Sequence, residues 1–344
     1  MRRMTQFVLV AFVAVILAPL ASAQSYTIAD LGSLGGPYGS SAAAINDSGQ
    51  VVGSSSVPSG GDSIYNAFLW TLQGGMEALG NTGAFGVNDS GQVVGFYQDV
   101  GSSFAFLWSQ AGGSQNLGTI GGDSSSAAGI DDLGDVVGSS TTTTGGSSTH
   151  AFVWTDVKGF RDLGTLGGTD SWATAINSHR QVVGYSYLAS DTVFHAFLWT
   201  STGGMQDLGT LGGGSTAALA INDSGAVVGY STLLDGVTQH AFLWTKSRGM
   251  QDLGTLGGSY SVATSINNSD QVIGQSFTRI GESAAFLWVN GKGMENLNGQ
   301  IPHGSGWQLW SAAGINESGQ IVGDGNSKTA DHAYILTPTA PSSK

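Results

Sequence analysis

Four short phrases recur in fixed order along this 344-residue chain, and the chain starts and stops part-way through that order. One complete copy runs from Asp207 to Gln251. It reads Asp-Leu-Gly-Thr-Leu-Gly-Gly, then Ala-Ile-Asn-Asp-Ser-Gly, then Val-Val-Gly-Tyr-Ser, then His-Ala-Phe-Leu-Trp-Thr, and Asp252 begins it again. The third phrase ends at Gly53, Gly95, Gly138, Gly184, Gly229, Gly274 and Gly323, in steps of 42, 43, 46, 45, 45 and 49 residues. A period of this length decides the architecture before any single residue does, because each copy must bury its apolar face against its neighbours.

Each phrase reads as one short strand. The phrases are rich in β-branched and aromatic residues and are bounded by Gly, Ser, Asn and Asp. Asn222-Asp223-Ser224-Gly225 joins two of them as a tight antiparallel hairpin, with Gly225 in the left-handed position. The fourth phrase returns to the first through a short Gly-containing turn, as at Thr200–Met205. Each copy is therefore a four-stranded antiparallel meander of roughly 45 residues, the length of one β-propeller blade. The ends support closure of a ring. After its first 25 residues the chain opens the array on Tyr26-Thr27-Ile28-Ala29-Asp30-Leu31-Gly32, a fourth strand without its first three. It closes on Ala333-Tyr334-Ile335-Leu336, a third strand without its fourth. Two such fragments complete one blade and hide its edges, whereas an open solenoid needs polar caps. The expected fold is all-β: a seven-bladed β-propeller of four-stranded antiparallel blades, closed by the N-terminal strand. The domain spans residues 24–337, with a tail over 338–344.

Residues 1–23 are expected to be a signal peptide. Arg2 and Arg3 precede an apolar run, Phe7–Leu20, that is short for a membrane span, and Ala21-Ser22-Ala23 suits cleavage. The expected address is secreted: extracellular, periplasmic or on the cell surface. Without the two leader arginines the chain holds 9 basic residues against 24 acidic ones, a net charge of −15. That field repels nucleic acid and anionic lipid. The chain contains no cysteine. An exported fold of this kind is then held by packing alone, which an array of this length can supply.

The His-Ala-Phe tripeptides at His150, His195, His240 and His332 stand within Asp-Leu-Gly-Thr-Leu-Gly-Gly and Ile-Asn-x-Ser-Gly-Gln-Val-Val-Gly contexts. In these motifs the chain resembles the HAF repeat family, secreted bacterial proteins named for that tripeptide. The likeness covers Asp30 to about Leu336. It implies an extracellular or surface repeat protein and carries no catalytic residue, substrate or cofactor. Asn66, Phe104 and Ala284 replace the histidine in three copies.

Several residues invite a chemical reading. One histidine per blade is too widely spaced to share an ion at the ~2 Å of a metal–nitrogen bond, so the expected role is a hydrogen bond to a neighbouring strand. Trp70, Trp108, Trp154, Trp199, Trp244 and Trp288 are expected to pack blade against blade. Asp30, Asp162, Asp207 and Asp252 are expected to accept from nearby amides. No Gly-x-Ser-x-Gly elbow, His-Glu-x-x-His or phosphate loop occurs. Neither a cofactor nor a metal is expected. The only local acidic pair, Asp131-Asp132, falls in a hairpin turn.

Copies differ most in the loops that enter each blade. Gly209 to Ile221 spans 12 residues, Gly80 to Val87 only 7, and Asn298 to Ile315 17. The longest entry carries His303, Trp307 and Trp310. Ring closure would set it beside Tyr38, the loop from Ser54 to Tyr65, and Tyr97. Aromatic platforms among Asn, Asp and Gln suit sugar rings, which have apolar faces and polar edges. The expected ligand-binding residues are Tyr38, Tyr65, Tyr97, His303, Trp307 and Trp310. The same aromatics could instead patch the seam where the ring closes. The expected function is a monomeric binding module for a carbohydrate or cell-envelope polymer. The alternatives are a structural or adhesive propeller without a discrete pocket, and a propeller glycosidase or lyase.

Overall fold

The computed structural model describes residues 25–58, 64–80, 82–143, 148–327 and 330–339. The expected leader, part of the loop between Ser54 and Tyr65, and the tail beyond Thr339 lie outside the described residues. The chain is all-β. Its strands form five four-stranded sheets and one eight-stranded sheet. The larger sheet is two four-stranded units, residues 216–252 and 257–296, linked by a single parallel bridge between Gln239 and Tyr260. Among the described residues no helix is long and apolar enough to cross a membrane.

A representative unit contains strands Thr216–Ile221, Val227–Thr232, Gln239–Thr245 and Gly249–Asp252, each antiparallel to the one before. The four repeated phrases supply the four strands. The glycine of Val-Val-Gly has a packing cause. The first strand of the unit is bulged between Ala218 and Ala220. That bulge brings its backbone so close that a Cβ on Gly229 would sit 2.0 Å from the Ala217 carbonyl. The same approach recurs at Gly53, Gly95, Gly138, Gly184, Gly274 and Gly323, between 1.9 and 2.1 Å.

Apolar residues on the two faces of each unit pack into clusters that straddle successive sheets. Val183, Ala196 and Leu198 of one sheet meet Ile221, Val227, Phe242 and Trp244 of the next. The phenylalanines of the fourth phrase, including Phe68, Phe152, Phe197 and Phe242, are fully buried. Each stabilises the fold by roughly 1.5–3 kcal/mol through removal of its ring from water. Trp154, Trp199 and Trp244 are buried in these clusters, as the repeat pattern led one to expect.

The chain ends meet in one sheet. Its order is Tyr26–Asp30, Asp331–Pro338, Ile321–Asn326, Gln308–Ile315. Tyr26 pairs with Pro338 and Asp30 with Tyr334, so the N-terminal strand does lie on the C-terminal one. The last strand ends at Pro338. This sheet packs on both of its sequence neighbours. Val322, Ala333 and Ile335 join Ala42, Ile45, Phe68 and Trp70, and Tyr26, Leu309 and Leu336 join Ile273 and Leu287. Asp324 also bonds across: its Oδ1 accepts from Ala42 N at 3.0 Å and its Oδ2 from Ser41 Oγ at 3.0 Å.

Candidate functional site

The recurrent histidines are engaged within their own sheets. His150, His195 and His240 each place Nδ1 at 2.8–3.0 Å from both carboxylate oxygens of Asp162, Asp207 and Asp252. His332 makes the same contact with Asp30, joining residues 302 apart in sequence. Each of these carboxylates also accepts from a glycine N–H two residues on, such as Gly209 N to Asp207 Oδ1 at 2.8 Å. Where the histidine is replaced by Asn66, Phe104 or Ala284, the aspartate position holds Ala78, Asn116 or Asn296. The pair is kept or lost together, so it works as one strand-locking unit. Among the described residues no group of three or more His, Asp or Glu is placed to hold a metal ion.

The Asn-Asp-Ser-Gly turns converge on one polar cavity of about 270 Å³, lined by Asn46, Asp47, Asn88, Asp89, Asp131, Asp132, Asn177, Ser178, Asn222, Asp223, Asn268, Asn316 and Glu317. A second space of about 300 Å³, lined by Ala44, Gly86, Gly129, Ala175, Ala220 and Gly314 of the innermost strands, lies beside it. Sequence reasoning treated these residues as turn formers only. They also link the sheets. Asn46 Nδ2 donates to the Asn88 carbonyl, Asn88 to Asp131, Asn177 to Asn222, Asn222 to Asn267, Asn267 to Asn316, and Asn316 back to Asn46, at 2.9–3.2 Å. The next residue in each turn forms a second course of bonds. Asp47 N donates to Asp89, Asp89 N to Asp132, Ser178 N to Asp223, Asp223 N to Asn268, Asn268 N to Glu317, and Glu317 N to Asp47, at 2.8–3.0 Å.

Crowding of carboxylates tunes this mouth. Burial, with Asp132 and Asp47 nearby, pushes the Asp89 carboxyl up despite its bond from Asp47 N. Burial and the Asp47 and Asp223 charges do the same to Glu317. Burial also works against Asp223, but the Ser178 hydroxyl and N–H and the Asn268 amide outweigh it and hold that carboxyl below its ordinary value. The carboxylates are thus occupied with neighbouring backbone N–H groups.

The expected ligand-binding residues fall into separate places. Tyr38 and Tyr65 both lie next to Ser56, at the end of their sheet away from the Asn turns. Tyr38 N donates to Ser56 Oγ at 3.0 Å, and Tyr65 is the cross-strand partner of Ser56. The two residues are 60% and 43% exposed. Tyr97, on the next sheet, leans on Phe104 at 5.7 Å between ring centroids. Trp310 lies half-buried at the start of a strand, its carbonyl accepting from Ser283 Oγ at 2.9 Å. Trp307 packs edge-on against Tyr334 at 6.1 Å. His303 lies apart from all of these. It shares a cavity of about 330 Å³ with Ser25, Tyr26, Thr27, Gln300 and Thr339, at the turn-side end of the sheet that joins the termini. The insertion is used to cover that sheet's outer edge, where Gln300 O accepts from Tyr26 N at 3.0 Å. None of the ring contacts among the described residues joins two of the six expected residues.

A larger group of rings was missed. Trp172 stacks on Tyr185 at 5.1 Å and 22°, and Tyr185 and Tyr187 both contact Phe194 at 5.4 and 5.9 Å. Burial, with Tyr230 and Tyr187 nearby, raises the Tyr185 hydroxyl, and burial with Tyr260 nearby raises Tyr230. The available signal was the run of aromatics after Val-Val-Gly in these copies.

No protein-family model matches the sequence, and no curated protein matches it. Solved structures do. The chain is similar to the β-propeller domain of the Trilobed protease from Pyrococcus furiosus, with a TM-score of 0.58 and 10% identity over 91% of this chain and 99% of that one. It is also similar to TolB from Acinetobacter baumannii, with a TM-score of 0.48 and 9% identity over 84% of this chain and 63% of that one. At such identities the first likeness speaks to fold, and the fold it supports is the β-propeller.

Proposed function

We propose that this is an exported repeat protein of the HAF type, that its four-stranded units form seven blades closed into one ring, and that its loop side binds a glycan or cell-envelope polymer. Closure is supported by the pairing of Tyr26–Asp30 with the last strand, and by the His332–Asp30, Asp324–Ala42 and Asn316–Asn46 bonds. Export is supported by the leader-like start.

One observation carries the binding reading. The recurrent titratable groups, His–Asp pairs and turn carboxylates alike, are committed to contacts within the fold, while Tyr38 and Tyr65, both next to the buried Ser56, are exposed residues. Such rings offer an apolar face with a polar tip, the chemistry that stacks on sugars. The repeat's conserved-looking polar residues are thus structural, and binding belongs to residues that differ between blades.

The test is a glycan array probed with the mature protein, with Trp310→Ala and with the Tyr38→Ala/Tyr65→Ala double variant. Binding by the wild type that falls at least tenfold in the double variant supports the site. Undiminished binding by a folded double variant moves the site elsewhere. A folded wild type that binds no glycan sinks the ligand class.

A further inference from the structure

The two courses of turn bonds are interrupted at the same seam. Between the third and fourth sheets in chain order, residues 125–162 and 167–207, the position that elsewhere supplies an amide donor is Asp131, and the residue that elsewhere offers a long acceptor is the short Ser178. Asp131 Oδ1 is satisfied by Leu133 N at 3.0 Å and Asp135 N at 2.9 Å, matching the asparagines of the other turns. Its Oδ2 stands where their Nδ2 stands. It is buried without a partner, in a residue only 5% exposed. The carbonyl it should meet, Asn177 O, accepts from Arg180 N at 2.9 Å. In the other turns the equivalent carbonyl accepts from both the turn N–H and the preceding asparagine, as Asn222 O does from Gly225 N and Asn177 Nδ2.

We propose that Asp131 is the titratable link of this ring: as the acid its Oδ2–H donates to the Asn177 carbonyl and completes the course of bonds, and as the carboxylate it leaves that seam open. Closing the link moves one proton from solvent onto Oδ2 and breaks no covalent bond. The surroundings favour the acid. Burial pushes the carboxyl up, and the Asp135 carboxylate beside it adds to this. The N–H bonds from Asp135 and Leu133 and the Arg180 guanidinium oppose it without prevailing. Arg180 is itself held by Asp135, Nε to Oδ2 at 2.6 Å, and its side chain is mostly exposed. The other titratable groups about the mouth are Asp47, Asp89, Asp132, Asp223 and Glu317, with His179 beside Asp223.

The direction of the effect follows from linkage. A carboxyl whose folded value lies above its unfolded one takes up a proton on folding. Its contribution is complete below the ordinary carboxylate range and is lost as pH rises through the raised folded value. The seam between the third and fourth sheets is therefore tightest in acid, and its strength follows the pH of the protein's surroundings.

The experiment compares melting temperatures of the full mature protein and Asp131→Asn from about pH 4 to pH 8. Asparagine donates at every pH and accepts as the other turns do. The variant should melt at least roughly 2 °C higher at neutral pH, and the gain should shrink to nothing toward pH 4. A gain equal at all pH values overturns the titration, and a loss at neutral pH overturns the missing donor. A ¹³C NMR titration of the wild-type side-chain carboxyls is the second measurement. Asp131 should titrate above the ordinary aspartate value, and a midpoint at or below it overturns the proposal whatever the variant does.

Discussion

A chain that begins at Ser33 lacks the N-terminal strand and tests closure directly. That strand contributes five paired positions to the sheet that joins the termini. It buries Tyr26 to 1% and Leu31 to 4% exposure. It also supplies Asp30 to His332, and Leu31 N to the Ala333 carbonyl at 3.0 Å. The two side chains together stabilise the fold by about 3–6 kcal/mol on burial. Net backbone bonds of about 0.5–1.5 kcal/mol each bring the loss to the order of 6–10 kcal/mol. A protein of ordinary stability has only about 5–15 kcal/mol in all. The shortened chain should therefore melt tens of degrees lower, or without cooperativity, by circular dichroism and calorimetry. Its last strand, Asp331–Pro338, would become an unpaired edge, so dimerisation or aggregation at micromolar concentration is also expected. A synthetic peptide of residues 25–32 should raise the melting temperature of any folded fraction in a concentration-dependent way. A shortened chain that melts cooperatively within a few degrees of the intact one would refute closure through this strand.

Two further outcomes follow from particular contacts. Gly184→Ala sets a Cβ 1.9 Å from the Trp172 carbonyl, against backbone that cannot yield without opening the bulge. The expected cost is about 4 kcal/mol or more, read as lost soluble expression or a collapsed denaturant midpoint; Gly209→Ala, with open space but a left-handed φ of 77°, should cost only about 1–2 kcal/mol. Asp223→Ala removes a carboxylate held below its ordinary value, so the stability it contributes is present above the ordinary aspartate range and lost as pH falls through the depressed value. The variant should melt lower than wild type at pH 7, and the difference should shrink as pH falls through the depressed value.

The architecture was legible because each strand carries its own recurring phrase, and because β-meander register leaves little freedom once the turns are fixed. The binding site was less legible. Tyr38 and Tyr65 both adjoin Ser56, one through a backbone bond from the entry loop and the other as its cross-strand partner. His303 does not join them, because an insertion is placed by whatever apolar surface it can cover. Ile301 goes into the core beside Tyr26, and drags the segment along the outer edge of the sheet. Nothing in the local spacing of residues 298–315 encodes that choice.

The departures from the repeat hold a signal that reading each residue alone overlooks, because they come in compensating sets. Ala226 replaces the glutamine whose Oε1 accepts from the turn asparagine in other units, as Gln50 does from Asn46, and Asp270 of the next unit supplies the acceptor instead, at 2.9 Å from Asn222 Nδ2. Asp131 and Asp135 replace an asparagine and a glutamine together, and Arg180 of the next unit supplies the cation. Asp270 and Arg180 both stand where a glycine is the rule, with φ of 57° and 58°. A left-handed conformation in such residues costs about 1–2 kcal/mol. That cost is tolerable only where the side chain gains a partner across the seam, and in both units it does. A lone substitution in a repeat reports relaxed constraint. A pair of substitutions one period apart, at positions that a propeller brings together, reports a contact. The same holds within a unit: the His–Asp positions, 12 residues apart at 150/162, 195/207 and 240/252, change together wherever they change, and they touch.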